Sequence, residues 1–245
     1  MSPPRIAVVT PYYKEPEQVL WQCHQSVLNQ GVEATHFMVA DGFPNSRVAQ
    51  WNVQHVVLPS AHGDNGNTPR GVGAMLAASE GFDFIAYLDA DNWYEDFHLS
   101  SLLELHASGG YDVCCSFRNY YTLEGELLTS VTEPDEDNFT HVDTSCFLVH
   151  RNGFGSNTIW FSMPIELSPI CDRVFFKGLR FARYRVGFSL LRTVAFRSQY
   201  EFHYLSAGIN PPSDVKRDVG FNAREWMTTV DGASVCVRTL GFLPL

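Results

Sequence analysis

The 245-residue chain is 45% hydrophobic and 18% charged, enough apolar sequence for a full core, which excludes disorder. Its 27 acidic against 17 basic residues leave a formal net charge of −10, which argues against surfaces for nucleic acid or anionic membrane, since both need clustered positive charge. No run approaches the ~20 apolar residues that span a bilayer, no signal-like apolar stretch precedes the first strand, and the six cysteines lack CxxC spacing, so reduced thiols and a cytoplasmic location are expected.

Residues 5–10 (RIAVVT) form a β-branched run ended by Pro11 and read as a buried strand. Across 17–29 apolar residues recur at helical spacing, with Val19, Cys23 and Val27 on one line, until Gly31 stops the helix. A second strand, 35–40 (THFMVA), breaks at Asp41-Gly42, and a third, 53–58, ends at Pro59. Residues 60–68 are small and polar and predict a loop; Pro69 suits the first turn of a helix to about residue 79. A fourth strand, 84–88 (FIAYL), stops at Asp89. Strand and helix thus alternate through the first 90 residues, the pattern of an α/β fold with an open, mostly parallel sheet and helices on both faces. Ligands of such sheets sit beyond the carboxyl ends of the strands, where this chain places Thr10, Asp41 and Asp89.

The second half reads differently. A long strand, 111–121, leads through Gly125 into a hairpin to 131, and 133–138 (EPDEDN) reads as a solvated acidic turn. Further strands are expected at 145–150 and 193–198, with a helix at 172–181. No repeat, linker or low-complexity segment interrupts the chain, so one domain over 1–245 is the economical reading.

Two carboxylates two residues apart at a strand end, Asp89 and Asp91, project to the same side and make a hard-oxygen site for Mg²⁺ or Mn²⁺. Such an ion bridges carboxylates to a diphosphate, which reconciles a phosphate ligand with an acidic protein. The stretch GNTPRGVGAMLAASEGFDFIAYLDADNWYEDF, with VVTPYYKEP and MVADG before it, resembles family 2 glycosyltransferases of the GT-A fold over roughly residues 5–205. That resemblance implies a Rossmann-like nucleotide-sugar-binding half, 1–110, and an acceptor-binding, catalytic half, 111–245. It implies Thr10, Pro11 and Tyr12 at the nucleotide base, Asp41 as acceptor of a base N–H, and Arg70 near the base or diphosphate. Asp89 would stand at ribose and metal, Asp91 would bind the metal directly, and His203 would be a third metal ligand. Asp172 is implied as the general base; by residue type alone it also suits a helix N-cap.

The chain departs from the family pattern at Ala40 before Asp41, at Gly71 after Arg70 and at Cys171 before Asp172. The implied reaction is an inverting transfer from a nucleotide-sugar donor, a UDP-sugar first, to a saccharide or other hydroxyl-bearing acceptor. A nucleotidyltransferase would carry a glycine-rich, Arg-containing loop after the first strand, where this chain has TPYYKEP. An aspartyl phosphatase would not carry Asn92-Trp93 after its acidic motif, and a catalytically dead GT-A-fold glycan- or nucleotide-binding protein would have no use for intact Asp89, Asp91 and Asp172.

Overall fold

The computed structural model describes residues 3–131, 133–217 and 220–244, apart from the side chains of Pro134 and Asp137. The parallel series consists of β1 (Ile6–Tyr12), β2 (Thr35–Ala40), β3 (Gln54–Val57) and β4 (Phe84–Tyr87); β1 is buried along its whole length, as a β-branched run between two neighbours must be. Later strands are β5 (Trp93–Tyr94), β6 (Val113–Tyr121), β7 (Leu127–Leu128), β8 (Phe147–His150) and β9 (Val186–Arg197). They continue one sheet of order β3–β2–β1–β4–β8–β6–β9–β5, with β7 paired to β6. The first four strands are parallel; β8 runs antiparallel to both β4 and β6, and β6 is parallel to β9. The expected α/β class is therefore what the structure has, with every antiparallel pairing among the described residues involving a strand of the second half.

Register decides where the polar strand ends meet. Tyr12 pairs with Ala40, Ala40 with Val57, and Val9 with Tyr87, so Asp41 and Asp89 emerge on the edge where Pro11 and Tyr12 leave β1. The chain passes from β1 to β2 on one side and returns to β4 on the other, which opens a crevice at this switch point.

Helix α1 (Glu17–Leu28) buries Leu20, Cys23, His24 and Val27 and leaves Leu28 44% exposed, a face turned slightly from the expected line through Val19. Helix α2 (Asn67–Ser79) lies directly on β1: a Cβ on Gly73 would come within 2.5 Å of Val9 Cγ1, so only glycine permits this approach. Helices α3 (His98–Gly109), α4 (Pro134–Asp137), α5 (Thr158–Ser162) and α6 (Cys171–Phe181) follow, then α7 (Glu201–Ser206), α8 (Phe221–Thr228) and α9 (Val230–Leu240). The last two fold back as a pair: Ala223, Met227, Cys236 and Phe242 pack on Leu167, Ile170 and Val174.

The acidic stretch at 133–138 differs from the solvated turn expected of it. It forms the short α4, and Glu136 is only 1% exposed. The cause is Arg118 on β6, buried at 4% exposure, whose guanidinium meets Glu136 and Asp143 at 2.6 Å each. A buried cation without such partners would be strongly destabilising. Among the described residues no helix is long and apolar enough to cross a membrane, and all six cysteines are free thiols.

Candidate active site

A cleft of about 860 Å³ opens at the carboxyl edge of the parallel strands. From the first half Pro11, Tyr12, Asp41, Arg70, Asp89 and Asp91 line it, and Asp172 and His203 enter from the second. Thr10 corrects the sequence reading: it does not line the cleft and is fully buried. Its hydroxyl lies 2.8 Å from His36 Nε2 and 3.8 Å from Cys23 Sγ, and His36 Nδ1 lies 3.0 Å from His24 Nδ1. A strand residue this deep turns its polar atom to whatever partners the core supplies, here His36 and Cys23, which no local pattern revealed.

Tyr12 presents its ring to the cleft while its hydroxyl is tied 2.7 Å from His55 Nε2 and accepts the Asn45 N–H at 3.0 Å. Asp41 is 5% exposed and already engaged: the His62 backbone N–H donates to its carboxylate at 3.0 and 3.1 Å, and His62 Nδ1 lies 2.6 Å from Oδ1. It thereby anchors the loop that leads to α2. Asp64, which the sequence reading passed over within that loop, accepts from both Thr68 N–H and hydroxyl at 2.8 and 2.6 Å and lines the cleft, with its other carboxylate oxygen buried and unpartnered.

Arg70, expected near the base or diphosphate, is 2% exposed on α2 and lines the cleft. It donates to Asp89 Oδ1 at 2.7 Å and to Asn67 Oδ1 at 3.3 Å, and its guanidinium sits 4.8 Å from the Trp160 ring centre. The turn after β4 is clamped from behind: Ser145 Oγ accepts the Asp89 N–H at 3.2 Å and the Asn92 amide at 3.1 Å, while Asn92 Oδ1 accepts the Arg197 N–H at 3.0 Å. Asp91 accepts from Gln199 Nε2 at 2.8 Å. Burial, reinforced by the carboxylates of Asp89 and Glu15, pushes the Asp91 pKa up to about 7.

On the opposite wall, α6 begins at Cys171 with Ile170 as its cap residue, so Asp172 lies inside the first turn and makes no N-cap bond. The Asp172 carboxylate, 20% exposed, accepts His141 Nε2–H at 2.6 Å and the Arg173 N–H at 2.7 Å. Burial alone would raise its pKa; His141 together with the positive charges of Arg118 and Arg173 outweighs burial and holds it at about 2, so the group is an anion at any working pH. Burial pushes the neighbouring Cys171 thiol up to about 12, which leaves it neutral and unreactive. His203 is buried, with Nδ1 2.8 Å from the Ser198 hydroxyl and Nε2 3.6 Å from Glu133. Among the described residues no three His, Cys, Asp or Glu side chains converge on a common metal position, so His203 does not join Asp89 and Asp91 in a closed cluster. His141, Arg118 and Asp143 also line the cleft, and no local spacing in the sequence singles them out.

Solved structures with the same fold include a fragment of S. aureus TarS, residues 1–349, in complex with UDP, at TM-score 0.60 and 14% identity, covering 96% of this chain and 72% of that one. The same fragment with UDP-GlcNAc matches at TM-score 0.55 and 11% identity, with 96% and 73% covered. A longer TarS structure matches at 0.60 and 13%, with 95% of this chain and 43% of that one covered. No curated protein matches the chain. The sequence profile of glycosyl transferase family 2 matches residues 7–163, which takes in Asp41, Arg70, Asp89 and Asp91 and stops short of Asp172 and His203. With more than half of its length matched, this chain belongs to glycosyl transferase family 2.

Proposed function

We propose that this chain moves a sugar from a UDP-sugar donor to a hydroxyl of a saccharide or other acceptor, with inversion, using a divalent ion, Mn²⁺ or Mg²⁺, at Asp89 and Asp91. The observation that carries this reading is the meeting of Asp89 and Asp91, beyond the end of β4, and Arg70 of α2 with the anionic Asp172 across one cleft. A uridine donor is the first choice because Asp41 suits an imide N–H, and because TarS, similar in fold, has been solved with UDP and UDP-GlcNAc. Asp41 would serve the base by exchanging or sharing its bond with His62.

The two carboxylates suit a hard cation, and the burial and mutual repulsion that together raise the pKa of Asp91 are what a cation would relieve. When bound, the ion neutralises charge on the leaving diphosphate. Ligation by His203 would require its Nε2 to exchange Glu133 for the ion. Arg70 fixes the Asp89 carboxylate and adds positive charge beneath the diphosphate site. Asp172 accepts the acceptor's hydroxyl proton as that oxygen attacks the anomeric carbon; the bond to the diphosphate breaks on the opposite face, and one displacement inverts the centre. We assign donor binding to residues 1–110 and acceptor binding to 111–245 of one domain, in a reducing compartment, the cytoplasm, that six free thiols suit.

Thermal shift with UDP in Mn²⁺ and in EDTA tests the donor site. Stabilisation in Mn²⁺ alone is expected; equal stabilisation in EDTA would remove the ion, and none in either would remove the donor. Release of UDP from UDP-GlcNAc in Mn²⁺ separates an enzyme from a silent binding fold.

A further inference from the structure

We propose that His141 is the positioning residue of Asp172, and that the acidic segment 133–143 is the rigid mount that delivers it; this rests on the reading of Asp172 as general base. The segment is fastened to the sheet and to α6 at several points. The Thr140 and His141 N–H groups both donate to the Asp135 carbonyl, at 2.8 and 3.0 Å, which closes the turn on itself. Asp135 then binds Arg173 with its carboxylate at 2.6 Å, while His141 binds Asp172, the preceding residue, at 2.6 Å. Two adjacent residues of α6 are thus gripped by two residues of one turn. Arg118 draws in Glu136 and Asp143 from below, and Arg180 donates to the Phe139 carbonyl at 3.2 Å.

His141 is 4% exposed, lines the cleft, and keeps its Nδ1 buried without a hydrogen-bond partner. The ring makes its hydrogen bond through Nε2, which donates to the Asp172 carboxylate at 2.6 Å. Its second nitrogen is sealed from the cleft, which leaves Asp172 as the group that meets the acceptor. With Oδ2 held by His141 and Oδ1 by the Arg173 N–H, the carboxylate has one orientation, as proton transfer at a fixed distance requires. The other charged and titratable groups around Asp172 are Arg118, Arg173, Cys171, Asp143 and Tyr200, and none of these carboxylates or hydroxyls bonds to it in place of His141.

Carbon-13 NMR of the Asp172 carboxyl, assigned with Asp172→Asn, is measured in the wild type, His141→Gln and His141→Ala, beside UDP release from UDP-GlcNAc with water as acceptor. The Asp172 titration is expected to move upward in His141→Ala, because burial is then opposed only by Arg118 and Arg173, and to return part of the way in His141→Gln, whose amide can donate from the same side. Hydrolysis is expected to fall ten- to a hundredfold in His141→Ala, with UDP affinity unchanged and partial rescue by His141→Gln. An Asp172 titration and hydrolysis rate untouched by His141→Ala, while Asp172→Asn is inactive, would overturn the positioning role alone. Wild-type hydrolysis by Asp172→Asn would instead overturn the base and, with it, this proposal. If His141→Ala fails to fold, the comparison of wild type with His141→Gln and His141→Asn decides: an unshifted titration in His141→Asn, whose shorter amide falls away from Oδ2, counts against it.

Discussion

The two halves of the cleft are built by different means. In the donor half, each side chain stands at the end of a parallel strand or the start of α2, and the sheet register alone brings Tyr12, Asp41 and Asp89 together. In the acceptor half, Asp172 is held by a turn that comes from elsewhere in the sequence, and a buried Arg118 with Glu136 and Asp143 supports that turn. Backbone periodicity places the first set; charge pairing across long separations places the second. Substitutions should therefore separate the halves cleanly, donor binding failing in one and proton transfer in the other.

Asp91→Asn should have the largest effect, because it removes charge from the donor half where the ion would sit. Both Mn²⁺-dependent stabilisation by UDP and turnover should vanish while circular dichroism stays unchanged. Full UDP binding by this variant would break the division between the halves.

Asp172→Asn should lose roughly 10² to 10⁴ in turnover, the usual contribution of a general base. The amide is nearly isosteric and Asp172 caps no helix, so the fold and UDP affinity should persist, while losing the anion paired with His141 should lower stability measurably. A collapse of donor binding in a calorimetric titration would place Asp172 with the metal group instead.

Acid should expose a weakness of the donor half. His36 and His98 are fully buried, and burial lowers both pKa values, that of His98 to about 3. The unfolded chain takes up these protons near pH 6.5 and the folded chain does not, so the stability they reflect is complete above that pH and lost as pH falls. At pH 5.5 each should have lost about 1.4 kcal/mol, read from urea denaturation. Asp91 opposes this, since its raised pKa lets the folded state bind a proton over the same range, so the loss should be larger in Asp91→Asn than in the wild type. Identical losses in the two proteins would show that Asp91 does not titrate there.

The smallest effect concerns the base. If Asp41 serves a uracil N–H, UDP should bind at least tenfold more tightly than GDP in Mn²⁺, a gap of about 1.4 kcal/mol by calorimetry. GDP binding as tightly would mean that Asp41 serves only to hold His62 and the loop beyond it.

Much of the donor half was legible from residue order. The strands at the start, the acidic pair after FIAYL and the helix opened near Pro69 and Arg70 all show as apolar periods broken by particular polar residues. Even there, legibility ended at side-chain direction. Thr10 looked like a cleft residue because it stands at the end of the first apolar run, yet its hydroxyl joins His36 inside the sheet, a contact set by the pairing of β1 with β2. Arg70 was placed correctly on α2, but its burial depends on Trp160 lying against it, a residue some 90 positions on.

Residue order by itself determined the alternating α/β frame, the carboxyl-edge position of Asp89 and Asp91, and the family, because strand and helix periods are local and are read within a dozen residues. Only the tertiary structure decided that 133–143 is a mount and not a solvated turn, that His141 meets Asp172 across 31 residues, and that His203 faces Ser198 and Glu133. Those outcomes follow from which buried charges must find partners, and a buried charge takes its partner from whatever segment the fold brings within about 3 Å, a choice that no local pattern encodes.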